Sequence, residues 1–231
     1  MAAEQGGAAR VELCDNLLEG GTTPSAGMIA VTRERITISL HVLIRPRGGD
    51  FCYTDLECEV MKRDIALARQ LGADGVVIGV LCPDGTVDVK RTSDLIAAAR
   101  PLKVTFHRAF DVTRNANEAL ETLIRLGVDR VLTSGQEPTV LAGAGTIASL
   151  IETAASRIGV MPGGGITEEN AQRIIATTGA TEIHVRGTSL CASPMQHRNQ
   201  RVSFRKAFTS DEHLRTVTDA ERIRRIVNLF A

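Results

Sequence analysis

The chain has 231 residues, 27 basic against 27 acidic side chains, no net charge and 43% hydrophobic residues. That length suits one α/β barrel or two small domains, and the balanced charge argues against the basic face that broad nucleic-acid binding needs. No run reaches the ~18 uninterrupted apolar residues of a membrane helix, and the N-terminal MAAEQGGAARVELC lacks the basic flank and apolar core of a secretory signal.

In chain order, short apolar runs alternate with longer amphipathic ones. MAAEQGGA reads as the last turn and C-cap of a helix. Strands are expected at 10–14, 39–45, 75–80, 103–108, 130–134, 158–162 and 182–186. DLECEVMKRDIALARQLG reads as a helix with Leu56, Val60, Ile65, Leu67 and Leu71 at roughly helical spacing and Gly72 as C-cap. NANEALETLIRLG repeats the design with Gly127. TEENAQRIIATTG repeats it again, with Thr167 as N-cap, Asn170 at N3 and Gly179 at the end. TDAERIRRIVNLF is a final amphipathic helix, and the basic run from Gln196 to Lys206 reads as a solvated loop or subunit contact.

Strand starts recur every 25–36 residues or so, one βα unit each, which predicts a parallel sheet. No linker or composition break divides the chain, so 1–231 reads as one domain: a TIM-type (β/α)8 barrel with seven strands visible. A first strand and most of a first helix are missing from that count, which would leave exposed sheet edges.

Strand alternation sorts the side chains, because barrel strands turn apolar residues outward onto helices. The inward set is then Glu12 and Cys14, His41 and Arg45, Thr105 and His107, His184 and Arg186. A structural reading makes these a polar plug with Arg45 paired to Glu12. A site reading is favoured because the polar groups continue into the loops. Arg45 and Arg47 precede Gly48-Gly49; His107, Arg108 and Asp111 sit in HRAFD; Ser134 sits in LTSG; Gly163, Gly164 and Gly165 precede a helix start. Arginine forks and glycine N–H groups at a helix N-terminus suit carboxylate or phosphate. The anion-binding set is thus Arg45, Arg47, Arg108, Ser134, Gly163, Gly164, Gly165 and Arg186.

The motifs VELCDNLLEGGTTPSAG, IRPRGGDFCY, VTFHRAFD, RVLTSG, VMPGGGIT and ASPMQHRNQ resemble the CutC family, described as copper homeostasis proteins, over essentially the whole chain. The resemblance implies a TIM-type barrel, a cytoplasmic location, a homo-oligomer (dimer or tetramer) and copper handling with Cu(I) binding. Family members carry an additional first strand with a cysteine, and this chain starts after it. Cys14 of VELC is retained, and Cys52 is the available second thiol, following the strand adjacent to that of Cys14. His41 and Met161 are possible soft neighbours. Arg186 stands where family members tend to have a small residue.

Five cysteines without CxxC spacing read as reduced thiols rather than a zinc site. Three functions stay open. The first is a copper-binding protein using Cys14 and Cys52. The second is an enzyme on a small anionic metabolite, with His107 as acid/base and Glu12 or Asp50 as carboxylate partner. The third is a non-catalytic scaffold. A Schiff base is disfavoured, because the strand lysine, Lys103, lies at the N-terminal strand end.

Overall fold

The structure, a computed structural model, describes residues 1–199, 201–202, 211 and 213–230. Helix α1 (Ala2–Gln5) leads into β1 (Arg10–Leu13), α2 (Ala26–Arg35), β2 (Ser39–Leu43), α3 (Asp55–Gln70), β3 (Gly75–Ile78), α4 (Val89–Ala99) and β4 (Lys103–Phe106). Then come α5 (Ala116–Arg125), β5 (Arg130–Thr133), α6 (Ala144–Ala154), β6 (Gly159–Pro162) and α7 (Ala171–Thr178). A hairpin of β7 (Thr188–Ala192) and β8 (Leu214–Thr218) precedes α8 (Ala220–Asn228).

Strands β1 to β6 form one curled, all-parallel sheet in sequential order. Each strand is joined to the next by a helix that returns to the same face, which is what a βα repeat with apolar outward residues must do. Leu40, Val42, Val76, Ile78, Val104, Phe106 and Val131 are fully buried against that helical layer. Polar caps fix the helix starts. Thr54 and Glu57 form a reciprocal capping box on α3, and Asp88, Asn115 and Asp219 cap α4, α5 and α8.

Three expectations are corrected. The segment 182–186 is not a seventh strand: it touches the sheet by a single parallel bridge, His184 to Gly163, with the His184 N–H donating to the Pro162 carbonyl at 2.8 Å. The architecture is therefore a six-stranded half-barrel rather than a closed or seven-stranded one. Helix α3 buries Cys58, Met61, Ile65 and Ala68, while Leu56 is 71% exposed and Val60 and Leu67 are exposed as well. The buried stripe follows the 3–4 spacing that faces the sheet, so Cys58 and Ala68 join Met61 and Ile65 in it while Leu56, Val60 and Leu67 lie beside it. At α7 the cap runs the other way from expectation: the Thr167 N–H donates to Asn170 Oδ1 at 2.9 Å, and Asn170 occupies the N-cap position. Residues 200 and 203–206 of the basic run lie outside the described residues.

Candidate functional site

The inward faces of β2, β3 and β4 are built around two absent side chains. A Cβ on Gly75 would lie 2.6 Å from the His41 ring, and one on Gly79 would lie 2.3 Å from the His107 ring. Glycines at the start of β3 and just past its end are what let His41 of β2 and His107, just past β4, fold inward.

At the N-terminal strand ends the interior is a closed ion cluster. Arg10 donates to Glu182 at 2.6 Å and to the Met161 sulfur at 3.4 Å, and Arg130 bonds the same carboxylate. Burial works against the Glu182 charge, yet Arg130 and Arg10 hold its carboxyl below the usual range. Burial, reinforced by Arg10 and Arg130, pushes His41 down to about 4. Glu182, not Glu12, thus anchors the plug. Glu12 instead faces His184 Nδ1 at 3.9 Å.

The C-terminal mouth is different. Arg45 is 5% exposed and donates to three backbone carbonyls, Glu19 and Gly21 at 2.7 Å and Gly49 at 2.9 Å. Its Nε has no hydrogen-bond partner among the described residues. His107, 6% exposed, accepts the Ala109 N–H on Nδ1 at 3.0 Å, so its proton sits on Nε2, which is also buried and unpartnered. Phe51 touches both: its ring centroid is 5.0 Å from that of His107 and 5.2 Å from the Arg45 guanidinium carbon. Burial, and then the Arg45 charge, push His107 down to about 3, so the ring is neutral at ordinary pH. Tyr53 Oη is a third buried atom outside hydrogen-bond geometry among the described residues; burial raises its ionisation, while the charge and the side-chain approach of the Arg45 guanidinium act against that.

Arg108, next along the chain, donates from Nε to Asp111 and from Nη2 to Ser134, both at 2.7 Å. Asp111 also accepts the backbone N–H groups of Ser134 and Gln136 and the Thr133 hydroxyl. That leaves Arg108 Nη1 without a partner among the described residues. It lies beside Gly164, where a Cβ would approach the guanidinium to 3.4 Å and Ser134 to 3.2 Å. Sequence reasoning listed Asp111 in its motif without a role; its position three residues past Arg108 was the available signal.

Other candidates are placed apart from this cluster. Arg47 is held by Glu57 at 2.6 Å, by Asp50 at 3.2 Å and by the Cys52 carbonyl, and it lies 5.0 Å from the Tyr53 ring. Asp50 is exposed and accepts the Cys52 N–H. Arg186 donates to the Leu17 carbonyl at 3.3 Å. Gly165 accepts from Asn170, and Gly163 packs on Leu132. Burial, with the Glu12 charge and against Arg186, pushes the Cys14 thiol up to about 11. Burial, Asp50 and then Cys82 raise Cys52; the neighbouring thiol there is Cys82. Met161 contacts Arg10, at the other end of β1 from Cys14. No group of three or more His, Cys, Asp or Glu side chains is arranged to hold a metal ion among the described residues. A cavity of about 310 Å³ lies between α2 and α3, lined by Thr23, Ser25, Ile29, Val60 and Asp64; it shares Arg45 with the mouth and reaches neither His107 nor Arg108.

These observations define an α/β half-barrel protein with a mutually paired polar base and a polar mouth that is incompletely partnered among the described residues. The model of the CutC family matches residues 1–189, and the chain belongs to that family. It is 51% identical over 222 residues to the copper homeostasis protein cutC homolog of Mus musculus, covering 96% of this chain and 82% of that one. The solved CutC structure from Streptococcus agalactiae superposes with a TM-score of 0.75 at 40% identity, covering 77% of this chain and 88% of the other. N-(5'-phosphoribosyl)anthranilate isomerase from Pyrococcus furiosus, at 13% identity and a TM-score of 0.54, covers 98% of this chain and 91% of its own; it shares the fold alone. No helix among the described residues is long and apolar enough to cross a membrane.

Proposed function

We propose that this chain serves copper homeostasis, the role its relatives' names carry, through a small-molecule site at the mouth of the curled sheet that takes an anion. The observation that supports this best is the Arg108 guanidinium, fixed by Asp111 and Ser134 with Nη1 left open beside the Gly164 backbone. A guanidinium held in place before the ligand arrives loses little side-chain entropy on binding, and its fork suits phosphate or carboxylate. Inorganic phosphate should therefore raise the melting temperature, and Arg108→Met should remove the shift. Absence of any shift in the wild-type chain at tens of millimolar phosphate counts against the reading.

A second reading is direct Cu(I) binding at Cys14, favoured by the family membership and by the soft thiol at the end of β1. The protonated Cys14 thiol must lose its proton to the metal, so affinity should climb steeply with pH. Titration of reduced protein with Cu(I) against a competing chelator checks it, with Cys14→Ser and Cys52→Ser as controls; no competition at one equivalent per chain removes it. In an enzymatic version, His107 acts as a neutral donor rather than as a base, because its proton affinity is too low. The Glu12–His184 pair is then the proton-transfer candidate. Self-association and a cytoplasmic location stay proposals from the resemblance, and mass in solution tests the first.

A further inference from the structure

Buried N–H groups without acceptors are rare, and each calls for an explanation. Two of them meet here around one aromatic ring. Arg45 Nε and His107 Nε2 belong to side chains more than nine-tenths buried, just past the ends of β2 and β4, and the His107 ring packs on Gly79, just past the end of β3. Phe51 lies against both. The charge is also uncompensated. The partners of the Arg45 guanidinium are backbone carbonyls, not a carboxylate, and a buried cation without an anion is costly. The base of the same sheet shows the alternative solution, where Arg10 and Arg130 share Glu182.

We infer that the inner mouth is a carboxylate subsite: one carboxylate oxygen accepts from Arg45 Nε and His107 Nε2, so the ligand is a small carboxylic acid. His107 suits this as a neutral ring, since its Nδ1 is committed to the Ala109 N–H and only the donor side faces the subsite. The inference rests on the anion reading at Arg108 only for the second half of the ligand. His107 and Arg108 both follow β4 at the mouth, so an acid long enough to reach from the inner donors to Arg108 Nη1 can carry its second anionic group there. The substrate class is a short phosphorylated or dicarboxylic acid.

Matched probes separate the two subsites. 3-Phosphoglycerate and glycerol 3-phosphate differ by a carboxylate in place of a hydroxymethyl group. By calorimetry the acid should bind the wild-type chain at least tenfold more tightly, and His107→Gln should erase that difference while leaving glycerol 3-phosphate binding unchanged. Since His107 is a core residue, a second measurement avoids dependence on the variant's folding. The side-chain 15N–1H signal of His107 Nε2 should move on adding acetate or 3-phosphoglycerate, and stay put with inorganic phosphate. Equal affinity for the two probes together with an unmoved His107 signal means that the orphan donors hold only water, which overturns the carboxylate subsite. A His107 signal that responds to acetate, in a chain that shows no phosphate shift, keeps the inner subsite and removes the Arg108 one.

Discussion

The two ends of the curled sheet use the same side-chain types and leave them in different states. At the base, Arg10, Arg130 and Glu182 satisfy one another, and His41 lies folded over Gly75. At the mouth, the buried Arg45 and His107 each keep one donor without a partner among the described residues, and so does the more exposed Arg108. Buried polar groups are normally satisfied within the protein. On the reading proposed above, the difference separates a structural ion cluster from a mouth prepared for a ligand, although both lie on the inner face of one curled sheet.

Removing one member of the base cluster should have the largest effect on stability. Glu182→Gln leaves two half-buried guanidinium groups without their shared carboxylate, and a loss of about 3 kcal/mol is expected, discounted from fully buried pairs for partial exposure. Urea midpoints measure it, and a loss well under 1 kcal/mol would show the base to be no more essential than a surface pair. Asp111→Asn at the mouth should cost less, about 1–3 kcal/mol for the backbone N–H and hydroxyl donors it leaves poorly met. It should also weaken phosphate binding by loosening Arg108. Full phosphate binding in that variant would make Asp111 a purely structural residue.

The last effect is spread over a pH range instead of following one substitution, and it involves both ends. His41 and His107 are held near 4 and 3, below the ordinary histidine value of about 6.5 in the unfolded chain. The unfolded chain therefore binds more protons below that value, and the stabilising contribution is complete above pH 6.5 and is lost as pH falls through the window toward 4 and 3. The slope is bounded by ~1.4 kcal/mol per pH unit for each histidine. Carboxylates add their own loss only at lower pH, so the interval from 6.5 to 5 isolates the histidines. Melting scans across it should show a decline that His41→Gln roughly halves; a flat profile would mean that one or both rings stay accessible to water.

Much of this architecture was legible in the chain itself. Six strands fall where apolar runs alternate with helical ones, and period-two alternation placed His41, Arg45, Thr105 and His107 away from the helix-facing core formed by Leu40, Val42, Ile44, Val104 and Phe106. The segment 182–186 passed the same test through Ile183 and Val185 yet pairs with the sheet at one bridge, because strand identity needs a neighbour's backbone as well as a pattern. In α3 the visible leucines misled, since Cys58 and Ala68 are small enough to lie against the sheet and weak as hydrophobic signals.

By itself, the sequence determined the local terms: where strands and helices lie, which face of each strand is polar, and where glycines leave room. Only the tertiary structure decided partners. It gave Glu182 to Arg10 and Arg130, turned the Arg45 fork onto loop carbonyls, and left Arg45 Nε and His107 Nε2 open. The physical reason is range: alternation and capping are set within a few residues, whereas an ion pair such as Arg10–Glu182 joins groups 172 residues apart, fixed only when the sheet curls.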